Sequence, residues 1–205
     1  MTLDRRDLPE HHLYYEFSML LETSVLLMRQ DFRDNAGQTI NNAVLESFLV
    51  HLRSIKDFLW EKTNKGSKEK DDITASMFCS RCSRAGKGCE DQLGGKTIRE
   101  IDSSINKQIS HLTGTRTNRV VGKENWKVGL ITCDLVGFFK EFLQKVDKGK
   151  MEEEYLEEMK RLSSGFLRNV SPNSRRDSAA VLVSTSTAPV IQISYQQPME
   201  DSNNR

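Results

Sequence analysis

A chain of 205 residues holds one ordinary domain with something left over, or two small ones. The 30 Lys and Arg against 29 Asp and Glu leave a formal net charge of +1, which excludes an overall electrostatic footprint for nucleic acid or an anionic membrane but not a local patch. Only 37% of residues are hydrophobic and 29% are charged, so the composition predicts a modest core plus unstructured segments, while 12 Gly and four Pro exclude collagen-like and Pro-rich classes.

The first ten residues are charged and no apolar stretch follows that would make a secretory signal. The best apolar run, residues 18–28, is interrupted by Glu22 and falls far short of a membrane span. The expectation is a soluble cytoplasmic protein with no membrane partner. Four cysteines are too few for a disulfide scaffold.

Residues 13–32 carry Tyr14, Phe17, Leu21, Val25, Met28 and Phe32 at spacings of three or four, which predicts an amphipathic helix. Asn35-Ala-Gly37 is read as its end. Thr39 then caps a second helix running to about residue 62, with Ile40, Val44, Phe48, Ile55 and Phe58 on one face. A charged turn and a short apolar patch (residues 73–78) follow. Residues 80–96, with two cysteines after Cys79 and four glycines up to Gly95, read as loop. Residues 97–112 make a third helix through Ile98, Ile101, Ile105, Ile109 and Leu112, followed by a basic loop. The fourth helix starts near Trp126 and is the most apolar, so it is expected to be buried on most sides. A fifth helix, solvent-facing and rich in Glu, fits residues 145–161. From Ser163 onward the periodicity is read as lost.

The second helix is the informative one. At about 100° per residue, His51 falls inside the apolar stripe, whereas Glu46, Arg53 and Asp57 cluster on the other side. A histidine there is either a satisfied core residue or a tuned functional one. Arg53 and Asp57 at i,i+4 form a solvated pair worth about 0.3–0.5 kcal/mol, or else part of an interaction surface. His111, at the end of the third helix, lies off the isoleucine stripe. It faces a groove with Ser104 and Gln108, or simply satisfies free carbonyls at a helix C-terminus. Arg116, Arg119 and Lys123 make at most a small anion site, since no aromatic residues interleave them.

Cys79, Cys82 and Cys89 form a C-x2-C-x6-C pattern, and the first pair has zinc-knuckle spacing. Three ligands are an incomplete structural set, so zinc is an option and free loop thiols are the alternative. No other cofactor is expected, because no phosphate-binding, nucleophile-elbow or zincin motif occurs.

The segments Asn42-Ala-Val-Leu-Glu-Ser-Phe-Leu-Val-His51-Leu-Arg53-Ser-Ile-Lys-Asp57-Phe-Leu, Asp71-Asp-Ile-Thr-Ala-Ser-Met-Phe78 and Ile105-Asn106-Lys-Gln-Ile-Ser-His111-Leu-Thr, with Trp126 before an apolar helix, resemble a group of small uncharacterised prokaryotic helical proteins. That group is in turn similar to HEPN-type domains. The resemblance covers about residues 13–146 and implies an antiparallel helical bundle, often dimeric. Its activities are RNA cleavage, as in toxins and defence nucleases, or the binding of nucleotides or protein partners. HEPN nucleases place an Arg, then four to six residues, then the histidine. With His111 in the family position, the residues that should hold Arg are Ser104, Ile105 and Asn106, and none can supply a fixed positive charge.

Taken together, the sequence predicts an all-α protein. Residues 8–162 form an antiparallel four- to five-helix bundle, and residues 163–205 form a mostly disordered tail. The function expected is a non-catalytic binding or interaction module, with a homodimer, a nucleotide or RNA, or a protein as partner. Its binding groove is lined by His51, Arg53, Asp57, Glu46 and Arg116. One alternative is a metal-independent ribonuclease using His111 and Asn106, with Arg53 or Arg116 in place of the missing arginine. The other is a small zinc-stabilised module built on Cys79, Cys82 and Cys89.

Overall fold

A computed structural model describes residues 8–29, 35–60, 73–80, 90–109 and 126–170. Among these the chain is mostly helical, with six helices and one two-stranded sheet. The helices are α1 (Pro9–Arg29), α2 (Asn35–Leu59), α3 (Ala75–Phe78), α4 (Ile98–Ile109), α5 (Val128–Leu143) and α6 (Glu153–Asn169); β1 (Gln92–Leu93) and β2 (Lys96–Thr97) precede α4.

The helix α1 begins on Pro9, whose fixed φ and missing N–H suit a first helical position, with Glu10 in the first turn and Arg29 in the last, as the macrodipole favours. Its buried hydroxyls do not need a partner helix: Thr23 Oγ1 donates to the Met19 carbonyl (2.7 Å) and Ser24 Oγ to that of Leu21 (2.8 Å). In α2 the helix starts at Asn35, so Asn35-Ala-Gly37 opens it rather than ending α1. Gly tolerates a first helical turn, where the tertiary contacts of a long amphipathic helix outweigh local propensity.

The core is aromatic. The ring of Phe139 on α5 stacks on Phe17 of α1 at 4.0 Å between centroids, and lies 6.3 Å from Phe58 of α2 and 5.7 Å from Phe142. Phe142 meets Phe58 edge-to-face at 5.0 Å, and Phe78 of α3 closes the group. Phe17, Phe48, Phe139, Leu135 and Val136 are fully buried. The short α3 is pinned to the end of α5: the Asp147 N–H donates to the Phe78 carbonyl (2.9 Å), and the Ser80 N–H to Asp147 Oδ2 (2.9 Å).

The strands correct the reading of residues 80–96 as loop throughout. β1 and β2 pair antiparallel, Gln92 opposite Thr97 and Leu93 opposite Lys96, around a tight turn in which Gly94 and Gly95 have φ of +60° and +81°. Gly94 is required twice over: its φ is left-handed, and a Cβ there would stand 2.7 Å from Ile131 Cγ1 of α5. Its N–H donates to Asp134 Oδ2 (2.8 Å). The hairpin then feeds α4 through a reciprocal cap. The Thr97 N–H and Oγ1 both donate to Glu100 Oε2 (2.7 and 2.8 Å), and the Glu100 N–H donates to Thr97 Oγ1 (3.3 Å).

The last helix also differs from expectation. It runs on past Arg161 to Asn169 and buries Met159, Ser163 and Phe166, so it is not a purely solvent-facing element. Ser163 is tolerated inside because Oγ donates to the Met159 carbonyl (2.7 Å). The tail expectation for residues 171–205 lies outside the described residues, and within the described ones no helix is long and apolar enough to cross a membrane.

Truncating Phe139 to Ala removes the ring on which α1, α2 and α5 converge. It is expected to cost about 3–5 kcal/mol, read as a fall in the urea unfolding midpoint. Val50→Ala, on the exposed side of α2, is the control and should stay within about 0.5 kcal/mol of the parent.

Candidate functional site

Three groups of side chains bear on function, and the structure keeps them apart. The first is His51. Its ring is buried on the side of α2 that faces α1, with Nδ1 2.8 Å from Glu16 Oε2 and the Tyr15 ring edge-on at 5.9 Å. A carboxylate only accepts, so Nδ1 carries the hydrogen. His51 is therefore a partnered residue of the α1–α2 seam.

The second group lies on the α2–α4 seam. Arg53 Nε stands 3.6 Å from Asp57 Oδ2, with both side chains well exposed. Between them and α4 lies Lys56, a residue to which the sequence reading gave no role. Its side chain is only 1% exposed, and Nζ contacts Asp57 Oδ1 on its own helix and Asp102 Oδ1 on α4, the latter at 2.6 Å. Two cations and two carboxylates thus form one line with no formal charge left over. Burial of an ammonium is tolerable only with such partners. Asn106 lies one turn beyond Asp102 on α4, half-buried, and Glu46 is exposed two turns before Arg53.

The expected common groove accordingly divides. Arg53 and Asp57 reach α4 through Lys56, whereas His51 turns away to α1. His111 and Arg116 lie outside the described residues. Lys56 was legible: on the helical wheel it falls between Leu49 and Leu52, inside the apolar arc, and a charge there signals a buried pair.

The zinc proposal meets a direct obstacle. Cys79 is buried and disulfide-bonded, so its sulfur is not a thiolate ligand; Cys82 and Cys89 lie outside the described residues. Thiolate, not disulfide sulfur, is what binds zinc tightly. Cys133, within α5, is buried and outside any disulfide.

The third group is apolar and was missed. A groove of about 440 Å³ runs between α1 and α6, walled by Leu21, Val25 and Leu26 on one side and Leu162, Phe166 and Val170 on the other. Glu22, Arg161 and Asn169 stand along its edge. Arg161 Nε donates to Glu158 Oε2 (2.8 Å), a bond that holds the Glu158 carboxyl below its ordinary value. Leu26 is 43% exposed. The spacing Met159, Ser163, Phe166, Val170 continues the apolar stripe of α6; the Ser-Ser-Gly run at 163–165 disguised it.

Against known protein families, characterised proteins and solved structures, the chain finds no match.

Two outcomes test the polar groups. Asp102→Ala leaves the Lys56 ammonium short of a partner and should cost about 1–3 kcal/mol in urea unfolding. Lys56→Met should cost less than Asp102→Ala, and the double variant should recover most of the single loss, because the buried charge goes with its need for a partner.

At the start of α4, the backbone N–H and then the hydroxyl of Thr97 hold Glu100 below its ordinary pKa. A depressed carboxyl stabilises the fold above its unfolded value, and that stability is lost as pH falls through the folded value. Thr97→Val should shift the Glu100 carboxyl titration, followed by NMR, part of the way back up, since the backbone bond remains. The stability gap between the two proteins should close as pH falls through the folded Glu100 value.

Proposed function

We propose that the chain is a non-catalytic interaction module, an antiparallel helical bundle resembling HEPN domains, which seats a short apolar segment of a protein partner between α1 and α6. The observation that carries this reading is the groove itself: six apolar side chains line about 440 Å³ of open space between two helices. The polar groups that suggested chemistry in the sequence support it from the other side. His51, Arg53 and Asp57 are engaged in internal pairs on other seams.

The edge of the groove states what should flank the incoming segment. Glu22 stands there, together with the ion-paired Arg161 and Glu158, which leaves one acid in excess. A partner segment with basic residues beside its apolar run matches that edge. Helix pairs that take an extended or helical apolar segment in this way read a few anchoring side chains and leave the rest as rim.

A fluorescent peptide with a Leu/Val centre and lysines at both ends serves as the probe. The full chain is expected to bind it in anisotropy titrations, and Leu26→Glu should weaken binding about tenfold or more. Met77→Glu, at an exposed apolar residue of α3 away from the groove, should bind as the parent does. Equal affinity for the parent and Leu26→Glu overturns the reading.

A further inference from the structure

We infer that the groove between α1 and α6 is held, when no partner is present, by the chain's own C-terminal segment, with residues 179–183 (Ala-Ala-Val-Leu-Val) seated in it. This inference rests on the groove being a docking face. It names the occupant that a partner must displace.

Position, reach and chemistry each point to that segment. The chain leaves α6 at Val170, which is itself part of the groove wall, so the segment starts at the site. Pro172-Asn173 follows at once, a pair that favours reversal of direction. Eight residues separate Val170 from Ala179, and at roughly 3.3–3.6 Å each they reach as far as about 29 Å. The groove wall from Leu162 to Val170 is a helical stretch of only about 12 Å. The tether therefore suffices to turn back and lay the apolar run along α6 and α1.

The chemistry matches that edge as well. Arg175-Arg176-Asp177-Ser178 lead into the apolar run with one net positive charge, which the excess acid of the groove edge, Glu22, can meet. A second β-prone stretch, residues 190–195, has no basic pair beside it and sits on a tether more than twice as long. A shorter tether gives the higher effective concentration, so the first stretch wins the groove. Being tethered, it needs only weak intrinsic affinity and stays displaceable. An occupied fraction of the chains then lowers the apparent affinity for any outside ligand in proportion.

The test uses the full chain and the same lysine-flanked peptide. Val181→Ser, Leu182→Ser and Val183→Ser are combined in one variant, which leaves all described residues untouched. Removing the internal competitor should tighten peptide binding several-fold, and adding Leu26→Glu to that variant should abolish the gain. Circular dichroism should show the same thermal unfolding of the helices in parent and triple variant. If the triple variant binds the peptide only as tightly as the parent, the tail does not hold the groove and the inference falls, while the docking reading stands. If neither protein binds the peptide, the docking reading fails and the inference falls with it.

Discussion

Three helices are fixed to one another by a single ring. Phe139 of α5 takes the face of Phe17 from α1 and the tilted ring of Phe58 from α2, and stacked or edge-on rings have preferred geometries as well as area to bury. With Phe17 turned inward, the helical repeat dictates the rest of α1. Leu20, Leu21 and Ser24 follow it into the core, while Glu22, Val25 and Leu26 come round progressively to the side on which α6 lies. The groove is thus a geometric consequence of the aromatic contact: Leu21 belongs to both, closing the core on one side and opening the groove on the other.

The charged and polar interior follows a different rule. Several buried polar side chains are satisfied by their own helix, by a neighbouring helix, or by both. Thr23, Ser24 and Ser163 donate to carbonyls one turn back, His51 is bound to Glu16, and Lys56 to Asp57 and Asp102. The last two sets join α2 to α1 and to α4, so they set register between helices that apolar contact alone would allow to slide. Replacing such pairs with apolar residues is often tolerated, whereas breaking one partner is not. Their role is therefore to select an arrangement, which is why the residues that looked chemically active in the sequence are found holding helices together.

Periodicity made the large features legible. Four of the six described helices overlap the expected ones closely, because stripes such as Ile98, Ile101 and Ile105 or Ile131, Leu135 and Phe139 have a helical repeat and little to compete with it. The errors occurred where one residue type was given a fixed meaning. Gly37 was read as a break, though it falls in the first turn of α2. The glycine-rich stretch before α4 was read as loop, though the two-residue Gly94-Gly95 is itself a hairpin-turn signal. Ser163-Ser164-Gly165 was read as the end of order, though Ser163 bonds back to its own helix and Phe166 restores the stripe. Pairing between distant residues was beyond periodicity altogether. The wheel shows that Lys56 is buried, but only the approach of α4 shows that Asp102 meets it.

The missed helix end and the missed groove are the same omission. Ending the last helix near Arg161 removes Leu162, Phe166 and Val170, the whole of one wall, and leaves Leu26 as a stray exposed leucine needing no explanation. With α6 extended to Asn169, Leu26 becomes one member of a continuous apolar surface facing a second helix. Burying such a surface further would need either the two helices to approach or a segment to enter between them. The first course is resisted here by the core: Phe17 is locked against Phe139, and Phe166 is already buried at the base of the groove. Moving α1 would break the stack on which three helices depend. Leu21, Leu26, Leu162 and Phe166 keep an apolar surface between α1 and α6, and the sequence after Val170 carries an apolar run at residues 179–183.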